Sequence, residues 1–239
     1  MRLRLCQTFI LLFVGLPSSV LAFDDLSNQW TVDLLFHYAR TERATLLTSE
    51  NFLSRQGAML QLRYEDPIDL FWHWYIGGDI SFARYEASAS ISVHPEDRNP
   101  WQLYVGTGWQ LGAMKNFEIF LGAGGSSEHY MRAESATSYS FEQTNSLRGH
   151  LGFYWRFLSI IGSSAELSFK YSYPITTVRH GDTGAMEYAG ILDGNLRLRP
   201  YYNSTLSLYG GVRFEDYKTA AQGITYFTSR IYAGLGIHF

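Results

Sequence analysis

Seven histidines and a near-even mix of acids and bases are what this 239-residue chain offers for chemistry. Three places set histidine beside acid: His94 with Glu96 and Asp97, Glu128 with His129, and His180 with Asp182. A histidine and a carboxylate held together can activate a water or a serine hydroxyl for hydrolysis. None of the three has the spacing of a metal-ligand motif. The same residue types also compose ordinary solvated loops.

A second set is more regular. Asp33, Arg63, Glu65, Asp79, Glu118, Arg148, Arg156, Glu166, Lys170, Asp193, Arg197, Arg213, Glu215 and Arg230 each sit in a stretch where apolar and polar residues alternate. His37, His73, Glu128, His150, Arg199 and His238 share that phase. A buried, unpartnered charge costs several kcal/mol, so such residues on the inner face of a closed fold must pair. Arginine suits the task, because its planar fork grips a carboxylate through two parallel bonds.

The elements that position these residues are strands. The end of the chain shows the pattern most plainly: Ile231, Ala233, Leu235, Ile237 and Phe239 share one face, and Tyr232, Gly234, Gly236 and His238 share the other. Ten segments carry this two-residue period, with apolar faces running from Trp30–Tyr38 through Ala58–Tyr64, Trp72–Phe82, Trp101–Leu111, Phe117–Ala123, Leu147–Phe157, Ala165–Tyr173, Tyr188–Leu198 and Leu206–Phe214 to the C-terminal segment. The connections alternate in length. Those at 66–70, 113–116, 158–162 and 200–203 are short, and those at 40–56, 86–100, 133–143, 177–186 and 218–226 are longer. Short periplasmic turns alternating with longer outer loops mark a membrane-spanning barrel. Gly190 and Gly194 thin the apolar face of the eighth segment. Losing the eighth and ninth segments together would leave eight strands, and a hairpin hidden in a loop would make twelve.

Composition agrees with a barrel. Charged residues are 17% of the chain and aromatics 16%, and no stretch after Ala22 approaches the ~20 apolar residues of a helical span. Mean hydropathy is −0.12, as expected when half of every strand faces a polar interior. Lysine is scarce on the polar face, where a soluble sandwich would carry it, and glycine is common there, at Gly106, Gly108, Gly112, Gly122, Gly124, Gly234 and Gly236. Aromatics stand at the segment ends (Trp30, Trp72, Phe117, Phe157 and Phe239 at one, Tyr38, Phe82, Trp101 and Tyr173 at the other), where membrane interfaces would be. A net charge of −3 argues against nucleic acid as a partner.

Residues 1–22 read as a secretory signal peptide. Arg2 and Arg4 precede an apolar run from Phe9 to Leu16, and Val20-Leu21-Ala22 offers a cleavage point. Residues 23–239 then form one barrel domain. Cys6, the single cysteine, lies inside the signal, so the mature chain has no thiol.

With signal, alternating strands and terminal Phe239 together, the chain resembles the broad class of bacterial outer-membrane β-barrel proteins. It resembles more distantly the solitary autotransporter-type barrels without a passenger. The resemblance implies the bacterial outer membrane as location, and outer-membrane lipid, lipopolysaccharide and the barrel-assembly machinery as partners, with Phe239 looking like the assembly signal. The chain is similar to the omptin surface proteases in strand number alone. Neither their motifs nor those of lipid A deacylases appear.

The fold expected is an all-β, ten-stranded, antiparallel, up-and-down transmembrane barrel. Its expected role is structural or surface-interaction, with a narrow lumen filled by charge and no cofactor. Two alternatives stand beside it: a narrow channel for small polar solutes, and a rim hydrolase acting on peptide or lipid A. Leu46-Leu47-Thr48 and Asn51-Phe52-Leu53 would touch lipopolysaccharide or a partner, or fold back over the barrel mouth.

Overall fold

A computed structural model describes residues 29–44, 49–54, 56–68, 71–85, 92–94, 97–111, 116–133, 135, 137–158, 163–179, 186–201, 204–219 and 225–239. The signal segment with Cys6, Leu46-Leu47-Thr48, Glu96, Gly112, His180 and Asp182 lie outside the described residues. The described residues form thirteen strands: β1 (Gln29–Ala44), β2 (Ser49–Ser54), β3 (Gln56–Pro67), β4 (Trp72–Arg84), β5 (Ser92–His94), β6 (Asp97–Arg98), β7 (Trp101–Leu111), β8 (Phe117–Ala133), β9 (Ser138–Leu158), β10 (Ser164–Arg179), β11 (Met186–Arg199), β12 (Leu206–Thr219) and β13 (Thr225–His238). No helix occurs among the described residues.

Ten of these strands close a ring in the order β1-β3-β4-β7-β8-β9-β10-β11-β12-β13, and β13 returns to β1. Every neighbouring pair in the ring is antiparallel. Closure leaves no unpaired edge, as a chain in hydrocarbon requires. The seam is sealed at its lower end by two 3.0 Å bonds that the Trp30 and Phe239 backbones exchange.

Two of the extra strands extend ring strands upward. β2 runs beside β1 above β3, one residue out of register with it, and β6 continues the register of β7 along β4. Only β5 is a true addition. It leaves the β4–β7 connection and lies parallel to β9 at Ser138–Ser140. Pro174 coincides with a register shift between β9 and β10, where a missing ladder donor does least harm.

The alternation follows the sequence in every ring strand. Apolar side chains such as Leu34, Leu103, Leu121, Leu151, Leu208 and Leu235 point outward and are exposed. Charged and hydroxyl side chains point inward and are buried. At the lower end an aromatic belt forms: Trp30 packs on Tyr64 at 4.6 Å, Tyr64 on Trp74 at 5.2 Å, and Trp72 stacks on Trp109 at 6.2 Å. The Trp74 indole donates to Asp66 at 3.1 Å. Rings with a polar tip gain at such a boundary.

The third long connection is shorter than its composition suggested. β9 begins at Ser138 and pairs with β8 from Tyr139, opposite Ala133, so β8 and β9 rise as one long hairpin. The alternation Ser138-Tyr139-Ser140-Phe141 carried that signal.

Candidate functional site

The lumen is the candidate site, since it collects the polar side chains of all ten ring strands. Its ion pairs fall into levels. Lowest are Arg63, Glu65, Glu118, Arg156 and Glu166. Arg63 reaches Glu65 at 2.8 Å and Glu166 at 3.5 Å. Arg156 reaches Glu65 at 3.0 Å and Glu166 at 2.8 Å, with Glu118 at 3.7 Å. Because β3 and β10 stand opposite each other in the ring, the Arg63–Glu166 contact spans the lumen.

Beside this level Arg197 of β11 grips Asp33 of β1 through two bonds of 2.9 and 2.7 Å, and contacts Ser207 and His238 at 3.2 and 3.3 Å. Gly236 makes room there. A Cβ in its place would meet Ser207 Oγ at 2.6 Å and Arg197 Nη1 at 2.7 Å, and would overlap Asp33.

At mid-height Arg213 of β12 holds Asp79 of β4 through bonds of 3.0 and 2.9 Å and Asp193 at 2.5 Å. Lys170 lies 3.5 Å from Asp193, and the Gln102 amide donates to Asp79. Higher still Arg230 pairs with Glu215 at 3.2 Å, and Arg148 holds Glu128 bidentately at 2.7 and 2.6 Å. Asp33, Arg63, Glu65, Asp79, Glu118, Arg148, Arg156, Glu166, Lys170, Asp193, Arg197, Arg213, Glu215 and Arg230 each make at least one of these contacts.

Charge is only half of the filling. Tyr75, Tyr104, Phe120 and Tyr154 form one buried cluster, and Leu35, Met59, Tyr209 and Tyr232 another. The cations lie on these rings: Arg63 is 4.3 Å from the centre of Tyr154 and 4.7 Å from Tyr75, Lys170 is 4.5 Å from Tyr104, and Arg197 is 4.4 Å from Tyr209. A ring face stabilises a desolvated cation by up to about 2 kcal/mol. In the sequence these tyrosines stand in the polar phase of the alternation, where an aromatic residue signals a filled interior.

A third cluster closes the upper end. Phe52, Ala83, Tyr85, Val93, Tyr139, Phe141 and Tyr226 come from or beside β2, β4, β5, β9 and β13. Phe52 meets Tyr139 edge-on at 5.0 Å. β2 lies beside β1, and β9 stands opposite β1 in the ring, so this contact is made across the mouth. Of the alternatives open for the Asn51-Phe52-Leu53 segment, folding back over the mouth is the one observed for Phe52.

The residues that suggested hydrolysis do not gather into a site among the described residues. Glu128 is held by Arg148 rather than by a histidine. His94 and Asp97 belong to different short strands, β5 and β6. The described residues do hold one metal-competent group that sequence spacing does not reveal: Glu65, His73 and Glu118 have ligating atoms within 4.8 Å of one another.

A closed antiparallel barrel, apolar outside and ionic inside, defines the class: this chain is built as a β-barrel of the membrane-spanning type. The sequence matches no protein-family model and no curated protein. Solved structures to which it is similar include the outer-membrane protease OmpT from Escherichia coli (10% identity, covering 93% of this chain and 100% of that one, TM-score 0.48). The translocator domain of the autotransporter NalP from Neisseria meningitidis is another (9% identity, 90% of each chain, TM-score 0.43). A third is an outer-membrane channel from Pseudomonas putida F1 (9% identity, 94% and 99%, TM-score 0.45).

Proposed function

We propose that this protein is a non-conducting barrel of the bacterial outer membrane, with a structural or surface-interaction role. The observation that carries this reading is the set of side-chain bonds between strands that are not neighbours. Asp33–Arg197, Asp79–Arg213, Glu65–Arg156 and Arg63–Glu166 each cross the lumen. A solute path would have to break several buried ion pairs, and breaking one such pair costs about 3–5 kcal/mol. The short-turn end, with Trp30 and Phe239, faces the periplasm, and the capped end with the long β8–β9 hairpin faces outward. Outer-membrane lipid, lipopolysaccharide and the barrel-assembly machinery are its partners, with Phe239 as the assembly signal after removal of residues 1–22.

Fractionation of expressing cells, combined with swelling of liposomes that contain the purified protein, tests this reading. The expected result is a heat-modifiable band in the outer-membrane fraction and no swelling in small sugars or amino acids. A band in the soluble fraction, or swelling comparable to a general porin, would overturn it.

A further inference from the structure

We propose that Glu65, His73 and Glu118 form a binding site for a divalent first-row transition ion of the Zn²⁺ type, entered from the short-turn end of the barrel. This goes beyond the closed-barrel reading and does not depend on it. β3 supplies Glu65, β4 supplies His73 and β8 supplies Glu118, and their donor atoms converge within 4.8 Å.

The acids alone would be no argument, because arginines already satisfy much of their charge. The histidine is the independent observation. Its side chain is 0% exposed, and neither ring nitrogen has a hydrogen-bond partner. A buried imidazole in that state is short of ligands on both sides, and buried polar groups are rarely left so. Its Nδ1 lies 3.6 Å from Glu118 Oε2, which also lacks a hydrogen bond. That separation is too long for an N–H···O bond, which ends near ~3.2 Å. It is close to the ~3.3 Å between two ligands on a tetrahedral ion with metal–ligand distances of about 2 Å.

The other Glu118 oxygen accepts from the Tyr75 hydroxyl, which orients the carboxylate in the way metal ligands are commonly held from behind. Gly108, paired with His73 across the strands, leaves the space that Glu118 and Tyr75 occupy. Glu65 accepts from Arg63 and Arg156, and a carboxylate has about four acceptor positions, so a further ligand bond is open to it.

Three carboxylates (Glu65, Glu118, Glu166) are bonded to two guanidiniums (Arg63, Arg156), with Arg199 acting on Glu65 and Glu166 from beside them. One nitrogen and two carboxylate donors suit Zn²⁺ and its neighbours better than Mg²⁺ or Ca²⁺, which take oxygen throughout. Access exists, because Glu65, Arg63, Arg156 and Glu166 keep 13–16% of their side-chain surface exposed.

The test uses the untagged mature protein, folded into detergent after chelator treatment. Zn²⁺ titration by calorimetry should show one site. Co²⁺ should give visible bands of tetrahedral intensity, and the absorption edge of bound zinc should show an imidazole nitrogen. His73→Gln and Glu118→Gln should each weaken binding by more than about tenfold, the lower range even for loss of an outer-sphere partner. His150→Gln should leave it unchanged. No saturable uptake by wild type, an oxygen-only shell, or a His73→Gln variant that binds within twofold of wild type would each overturn the proposal. They would leave a metal-free His73–Glu118 pair. If the variants fail to fold, the wild-type cobalt and zinc spectra decide alone.

Discussion

Asp79 on β4 and Arg213 on β12 face each other as a bidentate pair, 3.0 and 2.9 Å, although three ring strands separate them on the shorter side. The two side chains are 1% and 5% exposed, so the pair sits in a dry interior at mid-height. A pore would need to keep that space open.

Removing one member should therefore be far worse than removing both. Asp79→Leu leaves Arg213 with Asp193 only and should destabilise the barrel by about 3–5 kcal/mol. Asp79→Leu combined with Arg213→Met should recover a large part of that loss. Urea unfolding in lipid vesicles, followed by tryptophan fluorescence, measures both. Equal losses for the single and double variants would show that the ion pair is not what fills this level.

The outward register has its own test. Leu151 is 53% exposed on the outer face, and Ser146 faces inward with a 2.8 Å bond to Ser126. Leu151→Arg should cost about 2–4 kcal/mol if its surroundings are hydrocarbon. Ser146→Ala loses one neutral hydrogen bond, about 1 kcal/mol. The same unfolding measurement ranks them, and the reverse order would contradict the placement of the two faces.

Glycines separate the crowded inside from the open outside. At Gly236 an added Cβ meets the Asp33–Arg197–Ser207 group, whereas at Gly125 the nearest atom is Trp101 at 3.9 Å. Gly236→Ala should cost about 1–3 kcal/mol through overpacking. Gly125→Ala should be neutral or slightly stabilising, since alanine has less unfolded-chain entropy to lose. Comparable destabilisation by both would count against a filled lumen.

The pattern of alternation was the most legible part of the fold. A two-residue period cannot slip by one without turning every charge outward, so Trp30–Tyr38 and Ile231–Phe239 alone set the faces of β1 and β13. The weak eighth segment forms a full strand, β11, despite Gly190 and Gly194, because β10 and β12 pair with it on both sides. Pair partners were not legible. Arg63 meets Glu166 and Asp79 meets Arg213 through ring closure, which depends on register summed over all ten strands. The His73–Glu65–Glu118 group was hidden for the same reason: three separate strands supply it. Val93 gave no sign that a three-residue strand would cross the mouth, because so short a run has no period to read.

That cap makes a prediction of its own. Thr41 is fully buried beneath it, bonded to Tyr85 and Thr228. With no cysteine after position 6, Thr41→Cys gives a single thiol in a chain made without residues 1–22. It should resist a bulky maleimide added to intact cells, and should react when Val93→Glu is introduced to break the apolar cluster. Rapid labelling without Val93→Glu would show that the mouth is open.

Single-channel recording in planar bilayers tests the central claim, a lumen closed by side chains bonded across it, most directly. The wild-type protein should give a flat baseline without unitary steps at moderate voltage and high salt. Asp79→Ala combined with Arg213→Ala should admit brief, small currents if the folded barrel survives the change. Steady ohmic steps from the wild type would contradict a sealed interior.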